Sequence, residues 1–491
     1  MRKFIFIALL ALSASLSAQP LKWSTVHELN HMGTIGQYIG SIKGKNYFET
    51  DYYSYGLLRP LYNRLRLFAT DNQNNKIVAQ TSKSVKVPSG SLLKMMVLDG
   101  CPYAFYITKK EVRYKRFNPN TLEETADNLL YTSSSKKGIL EGKIIQSNDK
   151  SKIGLILKCE TDKKREINNE IAVFDAKLSH LWKQEIQTTK LNKDNILQIV
   201  DNILQYQIAD NGSMYIYYKI FDKQTKITLI TASEKGVSTK TLIDRSEFAD
   251  IENVDNIESY IVDDSTLFIA YGNHQKMKCM KYNVVTGAVM GNVSFNYMID
   301  KTTYWKIRNI SILENGNFVV AVSNIRTDVY YTSDGGVLCN LYNKNFYAVC
   351  IDSNASKIIY SRMISKGIYF NESGGWTAID FVILPTLERP LFFAKGNDFY
   401  AVYNASSNDD DLSEKIVSEV KVSTSFTKSS DKVVTNCVKI SAEGKATKTT
   451  LAEYKDKKMV LSPMLSFVND NGNWVLGFSS KKRICFTNLP E

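Results

Sequence analysis

Several things this chain lacks narrow what it is. Proline is scarce, at 9 of 491 residues, and histidine scarcer still, at 4. The seven cysteines, Cys101, Cys159, Cys279, Cys339, Cys350, Cys437 and Cys485, stand far apart, so there is no CxxC metal or redox motif. No Lys/Arg run of five or six occurs, although the net charge is +12. A dispersed excess gives weak, salt-sensitive attraction to anionic surfaces. Nucleic-acid binding would need a basic stripe or a recognisable module, and neither is present. No G-x-S-x-G, P-loop or dinucleotide fingerprint appears. Helical patterning is rare; the best stretches are Leu191–Tyr206 and Leu412–Val420. The first of these reads equally as loop plus strand.

The chain opens with Arg2 and Lys3, then an apolar stretch from Phe4 to Leu12, then mostly small residues through Ala18. This is the order of a secretory signal peptide, and the apolar stretch is well short of the ~18 residues that span a bilayer. Residues 1–18 are expected to be removed, with cleavage after Ser17 or Ala18. No later apolar run is long enough to cross a membrane, so the mature chain, 19–491, is expected in the periplasm or outside the cell, without a transmembrane segment.

What is abundant is β-forming: 28 Tyr and 22 Phe, residue types that suit a pleated, half-buried surface. Strand-like runs recur, each after a turn signal. Asp99-Gly100 precedes Tyr103–Ile107, Asn148–Ser151 precedes Ile153–Leu157, and Asp210-Asn211-Gly212 precedes Ser213–Phe221. Asp263–Ser265 precedes Thr266–Tyr271, Asn315-Gly316 precedes Asn317–Ser323, Gly396-Asn397 precedes Phe399–Tyr403, and Asn471-Gly472 precedes Trp474–Phe478. Lys43-Gly44-Lys45 before Tyr47-Phe48 is a further case. Such tips tolerate the left-handed backbone of tight hairpins. The eight markers lie roughly 50 to 80 residues apart, room for about four strands each. Repeating four-strand units are the mark of propeller blades. The expected fold is all-β: one β-propeller of seven or eight four-stranded blades in a single ring. After Asn471-Gly472 only about two strands remain, so Leu21–Leu29 is expected to supply the outer strand of the last blade and protect its edge.

One unit is more detailed. Ile153–Cys159 is followed by a charged tip, Asp162–Asn169, by Ile171–Asp175, and by Leu178-Ser-His-Leu-Trp-Lys-Gln-Glu-Ile186. This order resembles blades of secreted bacterial propeller proteins. The resemblance implies an architecture and no particular function.

Candidate sites are few. His27-Glu28-Leu-Asn-His31 matches H-E-x-x-H, which on a helix gives two zinc ligands and a general base. Gly33 and Gly36 would end such a helix at once, and Thr34 and Gln37 stand where the longer metzincin pattern needs Gly and His. Surface residues on an N-terminal strand are the expected reading, with Glu49 the conceivable third ligand otherwise. His180 and His274 are isolated. Asn408–Asp411 with Glu414 lacks the alternation and glycine of a calcium loop. Tyr47, Phe48, Tyr52, Tyr53, Tyr55, Tyr62, Tyr330, Tyr331 and Trp376 suit either a core or a recognition surface. A turn at Lys344-Asn345 would place Cys339 opposite Cys350, within reach of a disulfide.

No catalytic, cofactor or metal residues are therefore assigned. The expected function is binding of a protein or glycan at the mouth of the central channel, since loops on a rigid scaffold commonly carry binding. The alternatives are a secreted hydrolase with converging carboxylates near the axis, and a zinc metalloprotease through residues 27–31.

Overall fold

The structure, a computed structural model, describes residues 21–28, 36–52, 62–81, 84–88, 92–160, 166–190, 203–220, 225–244, 246, 254, 256–273, 276–296, 304–331, 337–373, 390–406, 420–423, 433–480 and 483–490. They form eight antiparallel meander sheets. In chain order the blades occupy 37–88, 92–132, 138–190, 203–243, 256–296, 304–373, 391–453 and 460–488. The first strands of successive blades touch one another from blade 1 through blade 7. These are the innermost strands, where radiating sheets converge on the axis.

The second strand of each unit explains the apolar runs in the sequence. Met214–Ile220 and Thr266–Gly272 are buried along nearly their whole length, because an inner strand is covered on both faces by neighbouring blades. The outermost strands, Glu124–Thr132 and Val289–Asn296, return to exposed or half-exposed positions.

Eight apolar clusters fill the eight interfaces between blades. Tyr47 and Leu67 meet Met95 and Phe117 between blades 1 and 2, and Phe105 meets Leu155 and Phe174 between blades 2 and 3. The series continues through blades 3–4, 4–5, 5–6, 6–7 and 7–8. At the 5–6 interface the Phe268 and Phe318 rings stack with centroids 4.0 Å apart, a geometry that adds ~1 kcal/mol beyond area burial. The last cluster joins Phe48 and Phe68 of blade 1 to Phe467, Ile484 and Phe486 of blade 8, so the ring is closed and blade number is eight.

Three blades depart from the plain four-strand pattern. In blade 1, Ile77–Gln80 and Val85–Pro88 both pair with Tyr62–Asp71. In blade 8 the inner strand is split into Val460–Leu461 and Phe467–Val468, and the outermost strand is N-terminal: His27 and Glu28 pair with Ile484 and Arg483. Blade 6 has strands of 14, 15 and 16 residues (Phe318–Tyr331, Val337–Ile351, Ile358–Ser373). It also gains a parallel fifth strand, Val420–Ser423, from the segment inside blade 7.

That long blade overturns the disulfide expected between Cys339 and Cys350. The two cysteines lie on one strand, Val337–Ile351. At ~3.3 Å per residue they are on the order of 35 Å apart. Where a turn was expected at Lys344-Asn345, the strand runs on with a register irregularity between Asn343 and Asn345. The tip residues cannot dictate a turn when both flanks are already paired to neighbouring strands. Cys350 is a buried free thiol, as are Cys101, Cys159, Cys279, Cys437 and Cys485. Burial pushes the Cys350 thiol up to about 12, so little thiolate exists at neutral pH. A thiol-specific reagent is expected to leave these six unmodified in native protein and to label them all in denaturant. Rapid native labelling of Cys350 would contradict its placement.

Other expectations need smaller corrections. Glu166–Asn169 belong to a strand, Glu166–Asp175, and not to a hairpin tip. The stretch 203–206 is strand, while 191–202 and 412–419 lie outside the described residues, as do residues 1–18, where a signal peptide is expected. No helix among the described residues is long and apolar enough to cross a membrane.

Candidate site at the mouth of the central channel

A meander sheet puts its turns alternately at two ends, and the eight marker turns of the sequence all join first to second strands. Hydrogen bonds between blades fasten these turns into one face. The Asp149 amide donates to Asp210 Oδ1 at 3.0 Å and the Asn315 amide to Asn397 Oδ1 at 2.8 Å. Tyr215 Oη donates to the Asp264 carbonyl at 3.2 Å. The turns between third and fourth strands lie on this same face, and Tyr47 Oη reaches one of them at the Pro119 carbonyl, 2.8 Å. Side chains tighten the turns further: Asp71 accepts from the amides of Gln73 and Lys76, and Asp352 from those of Ser356 and Lys357.

The opposite face holds the second-to-third-strand connections and the crossings between blades. The far end of the long blade 6 hairpins lies there too. First strands enter the ring from this face. Residues in their opening halves therefore surround the channel at its loop-bearing mouth.

First strands carry polar and charged residues beside apolar ones such as Leu92, Leu93, Leu204 and Leu391. Blade 4 supplies Gln205 and Gln207, blade 5 Glu258 and Ser259, and blade 6 Lys306 and Arg308. Gln205 Nε2 donates to Glu258 Oε2 at 2.6 Å. Ser259 Oγ lies 2.8 Å from Gln207 Oε1 and 3.2 Å from Gln205 Oε1. Arg308 Nε donates to Ser323 Oγ at 2.7 Å. Burial pushes the Glu258 carboxyl up to about 7, against the opposing charges of Lys306 and Arg308. In blade 3, next to blade 4, Glu141 pairs with Lys143 at 3.3 Å and with Lys158 at 3.2 Å. In blade 2, Lys94 stays accessible to solvent, yet burial lowers its pKa, with Glu49 of blade 1 opposing. Accessible and surrounded together describe a group in a narrow, protein-walled space.

Glu258 gives a pH test with a definite sign. Its carboxyl is raised from 4.5 to about 7 in the folded chain. Between those values the folded state keeps a proton that the unfolded state has lost, so stability falls as pH rises through the window and then levels off. E258Q is expected to unfold at a higher temperature than the parent above neutral pH and to match it in acid. A variant whose advantage is the same at every pH would show that Glu258 does not titrate in this way.

The H-E-x-x-H stretch is not a helical site. His27 and Glu28 are consecutive residues of a β-strand, so their side chains point to opposite sides, and one-turn helical spacing is absent. His27 Nε2 instead lies 3.2 Å from the Asn75 carbonyl in the adjoining blade 1 turn, and burial lowers its pKa. His31 lies outside the described residues. Glu49, on the second strand of blade 1, is opposed by Lys94. Among the described residues no group of three or more His, Cys, Asp or Glu could hold a metal ion.

The other candidates separate plainly. Tyr47 and Phe48 are core residues. His180 packs edge-on against Phe174 on an outer strand. Tyr52, Tyr62, Tyr330 and Tyr331 lie in strands. Tyr53, Tyr55, His274, Trp376, Asn408–Asp411 and Glu414 lie outside the described residues. Among the described residues Glu258 is opposed by Lys306 and Arg308, where a glycosidase-type pair would need a second carboxylate. Sequence reading missed these residues because each polar group looked like ordinary strand alternation. The signal was their recurrence just before the marker turns: Lys94, Gln205, Glu258 and Lys306 all sit in first strands.

No family model matches this chain, and no characterised protein matches it by sequence. Among solved structures it is similar to the WD40 domain of SCAP from fission yeast, at 12% identity over 95% of this chain and 98% of that one, with a TM-score of 0.40. It is also similar to a puromycin-hydrolysing peptidase of Mycobacterium tuberculosis, at 8% identity over 94% and 60%, TM-score 0.39. A third is the β-propeller domain of the trilobed protease from Pyrococcus furiosus, at 8% identity over 89% and 100%, TM-score 0.34. The class defined by the fold is the eight-bladed β-propeller.

Proposed function

We propose that this is an exported binding protein, whose ligand, a protein or glycan, engages the loop-bearing mouth of the propeller. One observation carries the reading: one face is locked into tight, mutually bonded turns, while Lys94, Glu258, Lys306 and Arg308 lie in first strands that begin at the opposite face. A rigid scaffold with variable connections gathered at one end is how loops acquire recognition. The hydrolase reading is weaker, because among the described residues no second carboxyl acts on Glu258.

The test is a screen of immobilised glycans and proteins with three forms of the mature chain: the parent, a K94A/R308A mouth variant, and a D210A variant of the tight-turn face. Ligands of the parent are expected to be lost by the mouth variant and kept by the turn variant. The reverse pattern would place the site on the other face. Turnover of a glycoside or peptide library by the parent, abolished in E258Q, would replace binding by hydrolysis.

A further inference from the structure

Three of the marker turns carry Asn-Gly, and they are built alike. In Ala209–Ser213, Leu313–Asn317 and Asn469–Asn473 the first amide donates to the fifth carbonyl and the glycine amide to the first carbonyl, all at 2.8 or 2.9 Å. The three glycines share a left-handed backbone, with φ of 85°, 83° and 76°. What differs is the first residue. Ala209 and Leu313 have no polar side chain, so the asparagine before the glycine caps the turn: Asn211 Oδ1 accepts from the Ser213 amide at 2.8 Å and Asn315 Oδ1 from the Asn317 amide at 3.0 Å. In the third turn Asn469 takes that place. Its Oδ1 accepts from the Asn473 amide at 2.9 Å and from the Asn471 amide at 3.1 Å. Asn471 is displaced from the capping role, and among the described residues its carboxamide makes no hydrogen bond. The third turn is also the most open. Asn471 and Gly472 are both exposed, and a Cβ at Gly472 would meet nothing within 4 Å. A Cβ at Gly212 would lie 3.8 Å from the Trp182 side chain, and one at Gly316 3.4 Å from that of Ser353.

We propose that Asn471 is a modification site, at which the folded chain deamidates spontaneously in preference to Asn211 and Asn315. The Gly472 backbone nitrogen attacks Asn471 Cγ. A new C–N bond closes a succinimide ring, the bond from Cγ to Nδ2 breaks, and ammonia leaves with the proton of the Gly472 amide. Water then opens the ring at either carbonyl, giving aspartate or isoaspartate. Glycine suits the attack because it has no Cβ to obstruct it. The Gly472 amide is held by the Asn469 carbonyl, so reaction follows local opening of the turn, a low-cost event at an exposed hairpin tip. A carboxamide without a partner is ready at each opening, whereas one bonded to the amide two residues on must first release it. The new carboxylate stands next to Asp470, which accepts from Asn72 Nδ2 of blade 1. The modification therefore falls on the seam where the ring closes.

The test is a time course of the native protein in mildly alkaline buffer, followed by peptide mass spectrometry that reads the amide-to-acid conversion at each of the three asparagines. Asn471 is expected to convert about fivefold faster than Asn211 or Asn315, the rate equivalent of one net hydrogen bond. N469A separates the capping argument from mere exposure. Without the Asn469 side chain, Asn471 Oδ1 is free to accept from the Asn473 amide as its two counterparts do, and its conversion is expected to slow to their rate. In denaturant the three sites are expected to convert at similar rates, because all share the Asn-Gly pair and differ only in the folded turn. Equal native rates, or a faster Asn211 or Asn315, overturn the inference. So does N469A that leaves Asn471 as fast as before or makes it faster, since a turn that is simply loosened would react more quickly. A preference for Asn471 that persists in denaturant overturns it too, by assigning the effect to the neighbouring sequence.

Discussion

Removing residues 21–28 is expected to cost this protein more stability than any single substitution. That segment closes the ring. Trp23 bridges to Thr487, the Ser24 amide donates to the Phe486 carbonyl at 2.8 Å, and the Phe486 amide donates to Ser24 Oγ at 2.9 Å. His27 and Glu28 continue the ladder on Ile484 and Arg483. The Trp23 ring packs edge-on against Phe478, with centroids 4.8 Å apart, over the apolar cluster between blades 7 and 8. Deletion removes the half-buried Trp contact, an edge-on pair worth ~1 kcal/mol beyond its area burial, together with the ladder hydrogen bonds, and bares the edge of Arg483–Asn488. A bare strand edge is a template for association. The deletion variant is expected to unfold at markedly lower denaturant concentration and to scatter light on storage. A synthetic peptide of residues 21–28 added in excess should recover part of the loss. Unchanged unfolding and an unchanged monomer would show that the ring closes without this strand.

The second large effect is expected at Glu170, far from the channel. Its side chain is 2% exposed, in the third strand of blade 3. One carboxylate oxygen accepts from Ser133 Oγ at 2.8 Å, the Ser134 amide at 3.0 Å and Ser134 Oγ at 2.7 Å, and the other from Tyr131 Oη at 2.9 Å. These donors belong to the end of blade 2 and the crossing that leads into blade 3. The carboxylate organises that crossing, and Ser135 continues it by donating to the Glu160 carbonyl at 2.5 Å and accepting from the Gly138 amide at 3.1 Å. Glu170→Ala leaves several buried donors without an acceptor, each a desolvation penalty that is not recovered. The expected loss is about 3 kcal/mol in denaturant unfolding. E170Q, which keeps one carbonyl oxygen for the serines, should lose less. Equal losses in the two variants would mean that side-chain volume, and not hydrogen bonding, holds the crossing.

Much of the architecture was legible beforehand for a local reason. Turns such as Asp210-Asn211-Gly212 and Asn315-Gly316 need residues that tolerate a left-handed backbone; Gly212 and Gly316 adopt φ of 85° and 83°. That requirement is met inside a few residues, so it is written in the chain, and its recurrence sets the repeat. The same kind of signal misled at Lys344-Asn345, where polar residues suggest a turn but both flanks are held by neighbouring strands. H-E-x-x-H did not mislead: a motif has its chemistry only on a helix, and pairing with residues 483 and 484 makes this one the expected N-terminal strand.

By itself, then, the sequence determined the strand composition, the turn positions and the all-β repeat, all of which follow from local backbone preference and from which residues resist water. It left the blade count between seven and eight, because insertions in blades 6 and 7 stretch the spacing without adding a sheet. The count, and which first-strand residues of blades 4, 5 and 6 come together, were decided by the tertiary structure. Ring closure brings together groups that stand some fifty residues or more apart in the chain, and only the curvature of eight packed sheets sets which of them share the axis.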